Sequence, residues 1–267
     1  LAPAIQKAPE NVGLLRTRGE SFARRGRWSE AAADLARVIK LDPETHDPWY
    51  HLAPLLLRTG ATNDYHRLCH EMLLRFGGEN PPQVAERTVK ACLLLPPDRS
   101  DLALATELAQ TAVVAGLDHP FIHYYQFAKG LAEYRQGHYA GAEDWLRKSL
   151  AGNDGENLTI PARLVLAMTC RQLGKTNEAR FALDEALALA EPSNLSRSPD
   201  AEDFTDWWHD LLIFQILRDE AKALVGTDGT ADGQPFLTFS EAHRLVKEGQ
   251  PPEAEAALRE AVTRYKA

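Results

Sequence analysis

The sequence predicts an all-α fold, a solenoid of helix-turn-helix repeats that wind into a right-handed superhelix. Three observations favour this class. A unit of about 34 residues recurs with small and apolar residues at fixed offsets. Alanine and leucine are abundant, whereas the alternating runs of Val, Ile and Thr that indicate strands are absent. The chain, at 267 residues, is also long for a single compact core and suits a repeat array.

Residues 11–44 define the repeat most clearly. Gly26 is expected to end the first helix, because glycine adopts the left-handed backbone conformation of a helix C-terminus without strain. Ala31 allows the two helices to pack closely, Leu35 lies on the buried stripe of the second helix, and Pro43 stops that helix. One such unit cannot bury its own apolar face, so the pattern predicts further copies.

The same offsets recur in five segments, and a different region follows them. We expect residues 1–10 to be a linker or the end of a preceding element. In the third, degenerate repeat the first helix is expected from Pro82 to Leu95, with Ser100 or Asp101 capping the second helix. Residues 203–267 are expected to form a long helix and then a sixth repeat-like unit or a C-terminal cap. The array over residues 11–193 comprises repeats at 11–45, 46–79, 80–118, 119–152 and 159–193.

The long helix is predicted over residues 203–225, where Asp203 or Thr205 can cap it. Of its adjacent residues Trp207 and Trp208, one is expected in the core and the other partly exposed, because neighbouring helical residues point in different directions. We expect this aromatic pair to pack against the last repeat. The apolar stripe is predicted to contain Trp207, Leu211, Phe214, Leu217 and Leu224.

The first repeat resembles the tetratricopeptide repeat (TPR), whose signature it carries with Leu15 and Arg18 as departures. Other segments, such as WYHLAPLLLRTG and DWWHDLLIFQILRDEA, resemble the TPR regions of planctomycete-type bacterial proteins. In that group the array typically follows a serine/threonine protein kinase domain or WD40 repeats. The resemblance implies that any catalysis belongs to a domain upstream of Leu1, and we expect the chain to be part of a longer protein.

Composition excludes several classes of function. A net charge of −8 and a pI near 5.6 argue against nucleic-acid binding, which needs a basic face. Three cysteines without a CxxC pair predict reduced thiols in a cytoplasmic protein rather than a disulfide framework. No apolar run is long enough to predict a membrane span. No phosphate loop, HRD or DFG motif is present, so we expect neither an enzyme nor a cofactor in this segment.

The best metal candidate is the helical motif formed by His66, Cys69 and His70, because an i,i+4 histidine pair shares one helix face. A zinc site would need a further ligand from elsewhere. A buried structural cysteine beside surface histidines is therefore the favoured interpretation, with no metal bound.

In TPR arrays the first helix of each repeat, helix A, lines a concave groove that receives a peptide or helix. In the fourth and fifth repeats the groove positions turn aromatic and aliphatic, bordered by arginines, and such residues anchor interfaces. We expect a peptide or an amphipathic helix to bind there. Alternatively, the chain's own helix at 203–225 fills this floor. The predicted site comprises Tyr124, Phe127, Leu131, Tyr134, Arg135, Met168 and Arg171.

The function predicted from these features is a non-catalytic protein–protein interaction scaffold. The alternative is the regulatory or substrate-recruiting C-terminal region of a larger bacterial serine/threonine protein kinase. Self-association through an uncapped repeat end is a third possibility.

Overall fold

The computed structural model describes residues 2–78, 80–152, 155–191 and 207–226, together with Pro252, Glu255, Ala256 and Arg259. The caps predicted at Asp203 and Thr205, and nearly all of the predicted sixth repeat, lie outside these residues. The helices are α1 (Ala2–Lys7), α2 (Val12–Arg24), α3 (Trp28–Leu41), α4 (His46–Arg58), α5 (Thr62–Phe76), α6 (Pro82–Cys92), α7 (Arg99–Ala115), α8 (Ile122–Arg135), α9 (Tyr139–Ser149), α10 (Glu156–Gln172), α11 (Thr176–Ala190) and α12 (Trp208–Val225).

Helices α2 to α11 pack as consecutive pairs, each formed by a helix A and the helix B that follows it. In four of these five pairs the turn from A to B uses a glycine in the left-handed region, such as Gly26 with φ of 68° and Gly137 with φ of 80°; the turn between α6 and α7 contains two prolines instead. Only glycine adopts this conformation without strain, so the repeated glycine sets the geometry of the turn. The described residues contain no strand. The predicted α-solenoid of helix-turn-helix repeats is thereby confirmed.

The chain divides into two compact units, which are described separately. The first contains residues 1–117 and 197–213, and the second contains residues 118–196 and 214–267. Helix α12 therefore contributes its first turns to the first unit and its later turns to the second. The core of the first unit includes Leu15, Leu35, Trp49, Tyr65 and Val89, and that of the second includes Phe127, Leu146, Leu164, Leu183 and Phe214.

In the first unit, Arg18 occupies a position where the TPR signature has leucine. Its Nε and Nη2 donate to the two carboxylate oxygens of Asp34 on α3, at 2.7 and 2.6 Å. Asp34 is buried, and the paired guanidinium supplies the charge and hydrogen bonds that a buried carboxylate requires. The departure from the signature thus exchanges an apolar contact between helix A and helix B for a bidentate ion pair.

The third repeat corrects two predictions. Helix α6 ends at Cys92 rather than Leu95. The cap of α7 is Asp98, not Ser100 or Asp101, because the residue that follows the two prolines is already extended and its Oδ1 accepts the amide of Asp101 at 2.9 Å. An N-cap has this non-helical backbone, and the helix begins at the next residue.

Helix α12 corrects the predicted apolar stripe. Trp207 is 58% exposed, whereas Trp208 is 2% exposed. One tryptophan is in the core and one faces solvent, as predicted, but their roles are exchanged relative to the predicted stripe. None of the helices in the described part of the chain is both long and apolar enough to cross a membrane.

Candidate partner-binding surface

In the second unit, the end of helix α8 contacts the later turns of α12. Arg135 donates through Nη2 to Oε2 of Glu220 at 2.7 Å, and its Nη1 also contacts Oε1 of the same carboxylate. The Arg135 side chain is only 2% exposed. Burial, together with the charge of Glu220, raises the pKa of Tyr134 to about 12. Two of the predicted groove residues therefore lie against the chain's own helix.

The other predicted groove residues differ in what they offer a ligand. Phe127, Leu131 and Met168 are at most 1% exposed and belong to the core of the second unit. Tyr124 is half-buried and its hydroxyl donates to Asn157 Oδ1 at 3.1 Å. Arg171 is exposed. A ligand can therefore contact Tyr124 and Arg171 most directly. Binding at the predicted site as a whole stays a prediction.

In the first unit, the first turns of α12 cover side chains of helices α4 and α6. The ring of His209 lies 4.6 Å from that of His51 and 5.5 Å from that of Tyr50, between centroids. Nearby, Lys90 Nζ lies 2.9 Å from Glu86 Oε1 and 5.3 Å from the centre of the Tyr50 ring. Burial opposes the charge of Lys90, but Glu86, Tyr50 and Asp210 together outweigh it and raise the pKa of the lysine.

This buried polar cluster is a feature that the sequence analysis missed. A signal was present: Glu86 and Lys90 are spaced i,i+4 on helix α6 at positions that face inward among apolar residues. Charged residues at such positions are rarely fully buried unless paired. The predicted contact of the tryptophan pair with the last repeat is also corrected, because Trp208 packs edge-on against His51, with ring centroids 5.3 Å apart.

The candidate metal residues have separate structural partners. His70 Nδ1 lies 2.8 Å from Asp101 Oδ1, and this hydrogen bond raises the pKa of His70. Cys69 is buried, and its carbonyl accepts the thiol of Cys92 at 3.7 Å. His66 packs edge-on against Tyr65. The two histidine rings thus contact other residues of the protein, and the cysteine between them is buried.

Among the described residues, a different trio has converging ligand atoms: Glu143, Cys170 and Glu178 lie within 4.8 Å of one another. Lys175 Nζ already binds both oxygens of Glu143 at 2.7 and 2.9 Å, and Arg147 binds it as well. Burial raises the pKa of Cys170 to about 11, which disfavours the thiolate that a metal needs. The trio is best explained as part of an ion-pair network.

The geometry defines a class: a helical-repeat protein built from consecutive pairs of helices. Comparisons with known proteins then give the family. One model described as tetratricopeptide repeat matches residues 16–63 and 98–157, and a second model of the same description matches residues 160–192. Together these segments cover just over half of the chain. The chain belongs to the tetratricopeptide repeat family.

No curated protein matches the chain. The solved structure of MamA AMB-1, in space group P212121, is similar at 23% identity with a TM-score of 0.43, and the match covers 67% of this chain and 99% of that one. The tetratricopeptide repeats themselves indicate a protein–protein interaction scaffold, and proteins built from them are typically non-catalytic.

Proposed function

We propose that this chain binds a peptide or an amphipathic helix on the face formed by its A helices, around the predicted site in the fourth and fifth repeats. The observation that carries the proposal is the bidentate contact between Arg135 and Glu220. It supports the idea that the end of α8 accepts a carboxylate presented by a helix. Arginine is well suited to this role because its planar fork matches carboxylate geometry.

On this proposal the ligand competes with Glu220 for Arg135. Tyr124 and Arg171 form the edge that a ligand meets first, since both keep accessible surface. The buried residues of the predicted site contribute indirectly, because they hold α8 and α10 in position; they are Phe127, Leu131 and Met168. The binding energy then comes from a few anchors on rigid helices, as is usual in protein interfaces.

A labelled peptide with the sequence of residues 207–226 provides a defined probe. We expect the Glu220→Gln chain to bind it more tightly than the natural chain, because the internal competitor is weakened. Arg135→Gln should weaken binding by about tenfold or more, since one partner of a buried charge pair is lost. Arg147→Gln, on the exposed surface of α9, is the matched control. Equal affinity of the Arg135→Gln and Arg147→Gln chains would contradict the proposal.

The resemblance to arrays that follow kinase domains leads to a narrower form of the same proposal. In this narrower form, the surface recruits the substrates of a serine/threonine kinase encoded upstream or regulates that kinase. A set of kinase motifs in the preceding coding sequence would support this form, and a different upstream domain would rule it out.

A further inference from the structure

The first turns of α12 are held in the first unit by an imidazole pair. The rings of His51 and His209 are stacked, with centroids 4.6 Å apart and an angle of 29° between their planes. Trp208, which is buried, packs edge-on against His51, and Tyr50 packs edge-on against His209. The contact therefore depends on aromatic surfaces that are uncharged.

The two imidazoles have little capacity to accept a proton in this position. Nδ1 of His51 and Nδ1 of His209 are both buried and make no hydrogen bond with any residue that the structure describes. Protonation would place an unpaired N–H and a positive charge in a desolvated site, against a second imidazole and near the ammonium of Lys90. Burial, together with neighbouring positive charge, lowers the pKa of each histidine to about 3.

We propose that the His51–His209 stack is a pH-sensitive latch, which holds the first turns of α12 on the A helices of the first unit at neutral pH and releases them on acidification. Release uncovers Tyr50, His51 and Lys90, which are otherwise covered by α12. The latch controls access to this face and acts whether or not a partner is present, so it goes beyond the proposed binding function.

The charges around the pair determine the direction of the effect. Two of the carboxylates that favour protonation are already engaged, since Arg16 binds Glu20 at 3.0 Å and Asp47 at 3.3 Å, and Arg87 also binds Asp47 at 3.0 Å. A third, Asp210, lies closest to the pair, with Oδ1 3.7 Å from Nε2 of His209. The groups that face the stack are Arg16 and Glu20 from α2, Asp47 and Tyr50 from α4, Glu86, Arg87 and Lys90 from α6, and Asp210 from α12.

The direction of the pH effect on docking follows from the histidine pKa values in the docked and released states. The pKa of each histidine is about 6.5 when α12 is released and about 3 when it is docked. Docking is therefore undisturbed above about pH 6.5 and weakens as the pH falls from about 6.5 towards 3. Each imidazole changes the docking equilibrium by up to about tenfold per pH unit. Asp210 acts in the opposite direction, because burial raises its pKa and its protonation favours docking. It is a single group, whereas two imidazoles act in the direction of release.

Hydrogen exchange of the full chain, measured at about pH 7.5 and about pH 5 and corrected for intrinsic rates, tests the latch. We expect protection of residues 208–213 to fall by about tenfold or more at the lower pH, while protection of α2 and α3 is retained. The variant His51→Phe/His209→Phe keeps an aromatic ring at both positions but lacks the titrating imidazoles, so its protection of residues 208–213 should not fall on acidification. His138→Phe, at an exposed position of the second unit, should respond as the natural chain does.

Unchanged protection of residues 208–213 in the natural chain at about pH 5 would overturn the proposal. So would the same loss of protection in the double variant. If residues 208–213 of that variant are unprotected even at about pH 7.5, the latch is tested instead by NMR titration of the two imidazoles in the natural chain. Values well below the ordinary pKa support the latch, and ordinary values near 6.5 overturn it.

Discussion

Replacing Gly130 with alanine tests how closely the helices of one repeat approach. A Cβ at this position would lie 2.8 Å from Cγ and 2.9 Å from Cδ2 of Leu146, and 3.3 Å from the backbone nitrogen of Leu146. Leu146 is fully buried, so α8 and α9 must move apart to accommodate the methyl group. Overpacking of this kind costs about 1–3 kcal/mol, whereas alanine gains about 1 kcal/mol of helix propensity. We therefore expect Gly130→Ala to be destabilised by up to about 2 kcal/mol.

Gly141→Ala in helix α9 is the matched control. Its Cβ would meet only the flexible side chain of Glu133, at 3.4 Å, so we expect stability to be unchanged or raised by at most about 1 kcal/mol. Urea unfolding followed by far-ultraviolet circular dichroism measures both variants. Equal stability of Gly130→Ala and Gly141→Ala would contradict this expectation, because the close approach of α8 and α9 would then impose no steric limit.

Three further substitutions test individual contacts of the first unit by the same unfolding measurement. Arg18→Leu restores the residue usual in the family but strands the buried Asp34, so we expect a loss of about 1–3 kcal/mol, and Arg18→Leu/Asp34→Leu should recover much of it. Tyr65→Phe removes the hydrogen bond of 2.9 Å to the Ala91 carbonyl and should cost about 1–2 kcal/mol. Asp98→Ala removes the cap of α7 and should cost about 1 kcal/mol. An unaltered unfolding midpoint would reject the role assigned to that contact.

The repeated unit could be predicted from the sequence because its determinants are local. Gly26, Ala31 and Leu35 act through backbone conformation, close packing and helical periodicity, all of which are set by spacing along the chain. The same local rules located the turn at Gly137. They failed at Asp98 because Asp98, Ser100 and Asp101 can each cap a helix, and only the backbone after the prolines selects one of them.

The candidate surfaces could be predicted only in part, because they depend on contacts between residues distant in sequence. Trp207 and Trp208 lie four and three positions before Leu211, so both fit a helical stripe and periodicity cannot choose between them. Nothing local indicates that His209 stacks on His51, or that Glu220 pairs with Arg135. The sequence alone predicted Arg135 as an interface residue, whereas its partner Glu220 could be identified only from the fold.

A charge reversal between Arg135 and the ligand carboxylate tests directly whether the end of α8 recognises a carboxylate on a helix. A peptide of residues 207–226 carrying Glu220→Arg should bind the Arg135→Glu chain and fail to bind the natural chain, while the natural peptide shows the reverse preference. Titration of both peptides into both chains gives the four affinities. We predict that each matched pair binds about tenfold or more tightly than each mismatched pair. Equal affinities in all four combinations would contradict the account.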